Sequence, residues 1–197
     1  MRITGGKIRG RVLFSPRGMD IRPTTDRVRE AIFDILGQDM SGLKVLDLFA
    51  GTGIFGIEAL SRGAGHAVFI DNSKQALNLI KKNLSLCGFE DSATILKADL
   101  KKVFRLNHQM LRAIDLIFLD PPYGKDLIIP LLEWISQTDT LRYGASVIAE
   151  LSRKEDLPDT ISRLKVTDIR LYGDTKIIIY TSGRDNERKD GNLSWDI

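Results

Sequence analysis

Four short apolar runs, each with an acid at or near its end, constrain the fold of this chain more than any other feature. They read KVLDLFA, HAVFID, ATILKAD and IDLIFLD, and their acids are Asp47, Asp71, Asp99 and Asp120. Segments with the apolar spacing of helices lie between them. This alternation predicts a parallel sheet with helices on both faces. Near the end, KVTDIRLY and KIIIYTS flank Gly173 and Asp174, which predicts an added antiparallel hairpin.

The length and composition fit one globular domain with a small appendage. The chain has 197 residues, 43% hydrophobic and 28% charged, and no apolar run approaches the roughly 20 residues that span a bilayer. Its start lacks the apolar stretch of a signal peptide, and a single cysteine excludes an internal disulfide, so we expect a cytoplasmic location. We expect three parts: a basic arm and helix over 1–40, the sheet domain over 41–182 and a polar tail over 183–197.

Positive charge is concentrated at the start of the chain. Residues 1–29 carry eight basic side chains against two acids, whereas the remainder is net negative. Residues 1–15 read as a β-hairpin or arm, and TTDRVREAIFDILG reads as a helix that ends before Gly37. Such asymmetry favours a nucleic-acid partner, although a solvated charged terminus has the same composition. The candidate RNA contacts are Lys7, Arg9, Arg11, Arg22, Thr24, Arg27 and Arg29.

Two of these arginines occupy an unfavourable place in their helix. Arg27 and Arg29 fall in the first turn, where a positive charge opposes the helix dipole by a few tenths of a kcal/mol. An external phosphate would explain them. The alternative is that they form ion pairs with the neighbouring acids Asp26, Glu30 and Asp34.

A glycine-rich loop, GTGIFG, follows the first strand. Its glycines Gly51, Gly53 and Gly56 also fit a nicotinamide dinucleotide site, with Asp71 placed for ribose hydroxyls. Asp47 argues against that ligand, because a carboxylate beside the loop would repel a pyrophosphate and attract an ammonium group. S-adenosylmethionine has the matching pattern of a cationic amino-acid end, a ribose and an adenine.

Each part of that cofactor has a candidate partner. Asp71 would accept from the ribose hydroxyls, the Asp99 region would face the adenine amine, and the helix start would receive the carboxylate. The predicted cofactor-binding set is Asp47, Phe49, Gly51, Gly53, Asp71, Asp99, Leu100 and Asp120.

The fourth strand ends in the rigid corner DPPY. Both prolines have a fixed φ and lack an N–H. The Asp120 carboxylate and the Pro121 carbonyl could accept the two hydrogens of an exocyclic amine and direct its lone pair at a methyl donor. Tyr123 offers a ring on which a base can stack. The predicted catalytic residues are Asp120, Pro121, Pro122 and Tyr123. No metal is expected, because His66, His108 and Cys87 lack ligand spacing.

The chain resembles the bacterial guanine-N2 methyltransferases of small-subunit ribosomal RNA of the RsmD type. The motifs ITGGKIRGRVLFSP, RPTTDRVREAIFDIL and LDLFAGTGIFGIEALSRGA carry this resemblance, which runs from about Arg2 to Tyr180. DPPY resembles the broader signature of amino-group methyltransferases, which act on adenine N6, guanine N2 or glutamine amides. The resemblance to the RsmD type implies a Rossmann-like α/β methyltransferase fold with a mostly parallel seven-stranded sheet. It also implies S-adenosylmethionine as donor and guanine 966 of 16S ribosomal RNA as target. Thr52 stands where family members often have serine.

Two other functions fit parts of the sequence. An adenine-N6 methyltransferase of DNA or RNA would use the same corner, but no sizeable target-recognition domain accompanies it. A non-catalytic RNA-binding protein would not need the intact glycine loop or Asp120. The RNA could be free or within the assembled small subunit, and we expect a monomer.

Overall fold

The fold is one eight-stranded mixed sheet with helices on both faces. It is seen in a computed structural model that describes residues 1–15, 26–105, 111–121, 125–137 and 139–183. The strand order is β3-β2-β1-β4-β5-β8-β7-β6. Strands β3, β2, β1, β4 and β5 run parallel to one another, and the neighbouring pairs β5–β8, β8–β7 and β7–β6 are antiparallel. The α/β sheet and its terminal hairpin are therefore confirmed.

The strands are β1 (Lys44–Leu48), β2 (His66–Asp71), β3 (Ala93–Lys97), β4 (Ile114–Leu119), β5 (Leu141–Ser152), β6 (Thr160–Ile161), β7 (Leu164–Tyr172) and β8 (Thr175–Ser182). The α-helices are α1 (Asp26–Leu36), α2 (Ile54–Ser61), α3 (Lys74–Cys87) and α4 (Lys125–Gln137), and short 3₁₀ helices cover Glu90–Ser92 and Leu100–Arg105. No helix in the described ranges is long and apolar enough to cross a membrane.

Two details of the sheet were not predicted. The eighth strand, β6, has only two residues, Thr160 and Ile161, which is too short to show a periodic pattern. Strand β5 begins four residues before its apolar run. This start was not predicted because Arg142 and Tyr143 are exposed and Gly144 has a φ of 79°. Both differences lie where alternation of apolar residues fails.

Apolar side chains fill the space on each face of the sheet. One core packs α4 against β1, β4 and β5 through residues such as Leu48, Ile117 and Leu132. The other packs α1, α2 and α3 against the opposite face through residues such as Phe33, Phe55 and Phe118. The central strands are buried on both sides, which explains why their sequences are continuous apolar runs.

The first fifteen residues form the predicted hairpin arm. Arg2 and Val12 make an antiparallel bridge, and Ile3 N–H donates to the Arg11 carbonyl at 2.9 Å. Ile3 and Leu13 point inward and are buried in the core beside α1 and α2. The arm is therefore docked on the sheet domain by its own alternation of apolar and polar residues.

Strands β1 and β4 lie side by side although they are far apart in the chain. Helices leave β1 towards one face and β4 towards the other, so the crevice between their carboxyl ends is the topological switch point of the sheet. In open α/β sheets this is where ligands bind. The glycine loop follows β1 and the proline corner follows β4, so the fold brings the two motifs to this crevice.

Candidate active site

Strand register sets the predicted acids next to one another. Leu48, the last residue of β1, pairs with Ile70 of β2 on one side and Leu119 of β4 on the other. The next residues, Phe49, Asp71 and Asp120, therefore leave the sheet side by side. The arrangement forms the base of a crevice with a carboxyl group on each side of the loop.

The glycine loop has an uncommon backbone. Gly51 and Gly53 have φ values of 53° and 77°, which favour glycine. Phe49 adopts a φ of 61° without being a glycine, a conformation that costs of order 1–3 kcal/mol and clusters at functional sites. Hydrogen bonds hold the turn, with Ala50 N–H donating to Ile70 O at 3.0 Å. The loop is thus fixed in a shape that a relaxed chain would avoid.

The third glycine serves packing. A Cβ on Gly56 would lie 2.3 Å from Cε1 of Phe69 on β2. Helix α2 can approach the sheet this closely only because that Cβ is absent.

Asp71 supports the loop and keeps an accessible carboxylate. One oxygen accepts from Gly51 N–H at 2.9 Å and the other from Ser73 N–H at 2.8 Å. Each carboxylate oxygen has two acceptor positions, so these bonds leave capacity for hydroxyl donors. The side chain is partly exposed. Its role towards a ribose stays a prediction that this geometry permits.

Asp47 is buried beneath the loop. It is 3% exposed, and its Oδ2 accepts from Gly56 N–H at 3.1 Å in the first turn of α2. Burial raises the pKa of the Asp47 carboxyl well above its usual range, the Gly56 bond opposes the rise, and the charges of Asp120 and Asp71 add to it. Asp47 therefore helps to hold the loop against α2, and its carboxyl group belongs to the acidic cluster of the crevice. Its contact with an ammonium group stays a prediction.

The acid after β3 has a local structural role. Asp99 is exposed, and its Oδ1 accepts from Lys101 N–H at 3.0 Å at the start of the 3₁₀ helix. Leu100 beside it is 5% exposed and packs in the core. Asp99 is thus exposed beyond the carboxyl end of β3, whereas the side chain of Leu100 is buried, and the cofactor-binding role of both stays a prediction.

The proline corner is described only in part. Asp120 and Pro121 directly follow β4 and are partly exposed at the crevice. Pro122 and Tyr123 lie outside the described residues. The catalytic assignments of all four residues stay predictions.

The predicted RNA contacts divide into two groups. Lys7, Arg9 and Arg11 of the arm and Arg27 of α1 are exposed, as a phosphate contact requires. Arg22 and Thr24 lie outside the described residues.

The RNA assignment of Arg29 is wrong for this structure. Its side chain is fully buried, and its Nε lies 3.3 Å from Oε2 of Glu58. Its Nη2 donates to Asp26 at 3.1 Å and to the carbonyl of Arg2. Arg29 therefore holds the arm and α1 onto α2. Of the neighbouring acids named as alternative partners, Asp26 pairs with it, and its buried partner Glu58 was not predicted.

The sequence did not reveal the acid at the centre of this cluster. Glu58 is fully buried on α2 and accepts from Arg29, from Arg62 Nη2 at 2.9 Å and from the N–H groups of Thr4 and Gly5 at 2.8 and 2.7 Å. Arg62 also lies over the ring of Phe33, 4.6 Å from its centroid. A single acid in the otherwise apolar run GIFGIEALS is the signal that could have indicated a buried role.

Asn83 is a second residue whose role the sequence did not reveal. It is fully buried on α3, where its neighbours Ile80 and Leu84 face the core. It bonds both to Phe14 of the arm and to Thr52 of the glycine loop. A polar residue on an apolar helix face was the available signal.

The fold and the crevice together are those of a Rossmann-like methyltransferase. A solved structure of a candidate methyltransferase from Escherichia coli matches with a TM-score of 0.82 at 27% identity, covering 93% of this chain and 98% of that one. An RNA methyltransferase from Salinibacter ruber, solved with S-adenosyl-L-homocysteine, shares the fold with a TM-score of 0.62 at 15% identity, covering 84% of this chain and 97% of that one.

Sequence relatives identify the family. The family model described as conserved hypothetical protein 95 matches residues 1–181. The chain is 37% identical to a candidate rRNA methyltransferase, YlbH, from Bacillus subtilis, over 91% of this chain and 98% of that protein. It is 33% identical to ribosomal RNA small subunit methyltransferase D from Haemophilus influenzae, over 87% of this chain and 93% of that protein. The chain therefore belongs to the family described as conserved hypothetical protein 95, and the resemblance inferred from its motifs is confirmed.

Proposed function

We propose that the protein transfers a methyl group from S-adenosylmethionine to the exocyclic N2 amine of guanine 966 in 16S ribosomal RNA. The family relationship supports the coarser statement that it is an S-adenosylmethionine-dependent methyltransferase of ribosomal RNA. The choice of amine and position rests on the resemblance of the DPPY and RPTTDRVRE motifs.

The observation that carries the proposal is the group of carboxyls at the switch point. Asp47, Asp71 and Asp120 lie close enough for the last two to raise the pKa of the first. Such a site repels a phosphate and favours a ligand that brings positive charge. S-adenosylmethionine carries an ammonium and a sulfonium, so the residues present fit it and do not fit a dinucleotide.

The chain offers partners for each end of this ligand. Asp71 and the exposed Asp99 are acceptors for hydroxyl and amine groups, and the start of α2 offers N–H groups near the loop. When bound, the cofactor supplies an electrophilic methyl group.

Asp120 and Pro121 would act on the target amine. Its lone pair is delocalised into the guanine ring, which makes it a weak nucleophile. Two acceptors at the corner, the carboxylate and the carbonyl, would bind its two hydrogens and favour a pyramidal nitrogen. Orientation of that nitrogen by a rigid corner lowers the entropic part of the barrier. Tyr123 would stack on the base.

The arm and α1 would bind the RNA backbone. Lys7, Arg9, Arg11 and Arg27 are exposed cations suited to phosphates. We propose that the enzyme works as a monomer in the cytoplasm, with residues 1–40 contacting RNA and residues 41–182 forming the methyltransferase domain.

The test is a comparison of ribosomal RNA from cells with and without the protein. Mass mapping of 16S RNA should show one N2-methylguanosine lost in the deletion strain and restored by the wild-type gene. An Asp120→Ala gene expressed at the same level is the matched control and should not restore it. Loss of an N6-methyladenosine instead would establish the alternative chemistry, and an unchanged RNA would contradict both.

A further inference from the structure

The hairpin arm contacts the domain along its length, and its tip and its ends have different partners. Its tip contacts the end of α2, where Ser61 Oγ accepts from Ile8 N–H at 3.2 Å and donates to the Gly5 carbonyl at 2.6 Å. Its two ends reach the glycine loop, where Met1 Sδ lies 3.7 Å from Thr52 Oγ1. The arm therefore lies along α2, with its ends beside the crevice and its tip at the far end of the helix.

Asn83 joins the arm to the loop at the crevice end. Its Oδ1 accepts from Phe14 N–H at 2.8 Å, and its Nδ2 donates to Phe14 O at 3.1 Å and to Thr52 O at 2.9 Å. Both amide hydrogens are thus used, one on each segment. The side chain is fully buried, so water cannot easily replace a broken bond.

The same loop is linked to the predicted ribose-binding acid. Thr52 lies between Gly51 and Gly53, and Gly51 N–H donates to Asp71 at 2.9 Å. A short path of hydrogen bonds and two backbone residues, Thr52 and Gly51, therefore runs from Phe14 through Asn83 to Asp71. The loop itself has left-handed residues at Phe49, Gly51 and Gly53, so its shape depends on the contacts that hold it.

We propose that Asn83 is a positioning residue that couples cofactor binding to the docking of the arm. A ligand that holds the glycine loop in this shape also holds Thr52 O in place for Asn83, which strengthens the attachment of Phe14. By linkage, RNA that holds the arm strengthens cofactor binding by the same factor. The inference rests on the proposed function, because it takes the loop to bind the cofactor and the arm to bind RNA.

The coupling factor is measured by calorimetry on the full chain. The affinity for S-adenosylhomocysteine is determined alone and with saturating 16S RNA from cells lacking the protein, and then with small subunits from those cells. We expect RNA to tighten binding by about 5-fold or more, within the range of known couplings. Asn83→Leu, which cannot bond either segment, should bring the ratio close to one.

Ser61→Ala is the matched control. It loosens the same arm at its tip but does not touch the loop, so it should keep the wild-type ratio even where RNA binds more weakly. A merely structural Asn83 would lower stability in the variant and leave the ratio unchanged. That result, or a wild-type ratio of one, would overturn the coupling.

Amide hydrogen exchange of the wild-type protein decides the question if Asn83→Leu does not fold. Addition of S-adenosylhomocysteine should slow exchange of the Phe14 amide by about 5-fold or more, because this amide donates to Asn83. Slowing at residues 51–54 without any change at Phe14 would overturn the coupling while leaving the proposed function intact. Absence of S-adenosylhomocysteine binding would overturn the proposed function itself, and the coupling with it.

Discussion

At the scale of single residues, Asp47 accepts a hydrogen bond that supports the glycine loop, but burial of its carboxyl group is electrostatically unfavourable. Its carboxyl pKa is raised from an ordinary value of 3.8, chiefly by burial. An acid whose folded pKa is raised binds its proton more tightly in the folded state. Stability from this group is therefore fully present below about pH 3.8 and is lost as the pH rises through the folded pKa. At neutral pH the raised pKa of Asp47 is therefore a net cost to the stability of the free protein.

Asp47→Asn should consequently raise the melting temperature of the free protein at pH 7. The amide oxygen can still accept from Gly56 N–H, while the variant no longer has a buried group whose pKa is raised on folding. A gain of about 1 kcal/mol would correspond to about 2–4 °C in a domain of this size. Thermal melts from pH 4 to pH 8 should show the difference between variant and wild type growing with pH. A difference that shrinks as the pH rises would contradict the burial argument.

The same substitution tests the contact of Asp47 with an ammonium group. S-adenosylhomocysteine should bind about 10-fold more weakly to Asp47→Asn, since a hydrogen bond to a charged group contributes roughly 1.5–3 kcal/mol. Methylthioadenosine, which lacks the amino-acid end, is the matched ligand and should bind the two proteins equally. Equal weakening of both ligands would mean that the loop has been distorted.

Asp120 should act on the reaction more than on cofactor binding. Asp120→Ala is expected to lower methyl transfer by at least about 100-fold, comparable to the loss of one transition-state acceptor or donor. Its affinity for S-adenosylhomocysteine should change far less, because the amine contact matters as the nucleophile forms. Asp120→Asn keeps an acceptor oxygen and should retain more activity than Ala. Near-normal turnover in Asp120→Ala would remove this residue from the mechanism.

At the scale of elements, α1 carries two arginines that its sequence does not distinguish. Arg27 is exposed, whereas Arg29 is fully buried against Glu58. Removing one partner of a buried pair costs about 3–5 kcal/mol, because the other charge stays buried. A surface substitution usually changes stability by about 0.5 kcal/mol or less. One helix thus contains both a test variant and its control.

Arg29→Ala should be strongly destabilised in urea denaturation, and its RNA affinity should keep the wild-type dependence on salt. Arg27→Ala should show the reverse: near-native stability and a log–log salt slope smaller by roughly 0.7–0.9. The comparison would fail if Arg29→Ala retained full stability, or if Arg27→Ala left the slope unchanged.

Local patterns predicted most of this architecture, and long-range pairing accounts for what they missed. The buried strands appear as continuous apolar runs, and α3 has its Ser73 cap and Gly88 stop, so both were predictable. The role of Arg29 depends on Glu58, 29 residues away, and that of Asn83 on Phe14, 69 residues away. The sequence indicates such long-range partners only weakly, through a polar residue on an otherwise apolar helix face. The same limit applies to the crevice, since register, not spacing, places Asp120 beside Phe49.

At the scale of the whole molecule, the cations at the arm tip are separated from the crevice by the length of a helix. The arm tip that carries Lys7 and Arg9 contacts the end of α2 at Ser61, whereas the loop precedes its start at Ile54. A helix of 8 residues spans about 12 Å. The cations therefore lie too far away to neutralise the carboxyls of the crevice strongly at physiological ionic strength, where screening acts over about 8 Å. The crevice can therefore remain acidic around the cofactor while the arm presents its cations to the RNA that we propose as substrate.

This separation predicts that RNA binding and cofactor binding respond differently to removal of the arm's charges. Replacing Lys7, Arg9 and Arg11 by Ala should weaken RNA binding and reduce its log–log salt slope by roughly 0.7–0.9 for each phosphate that the arm no longer binds. The affinity for S-adenosylhomocysteine without RNA should stay within about 2-fold of wild type, which corresponds to about 0.4 kcal/mol. Fluorescence anisotropy at several salt concentrations and calorimetry on the same protein measure the two quantities.

The charge-matched control lies at the antiparallel end of the sheet. Lys154, Lys165 and Arg170 are exposed there, and their replacement by Ala removes the same net charge without touching the arm. If only total charge attracted RNA, both triple variants would show the same reduction in slope, and the arm would have no special place in binding. If the arm is the contact, the control should keep a slope close to wild type. A reduced slope in the arm variant alone would therefore place phosphates of the RNA backbone on the arm.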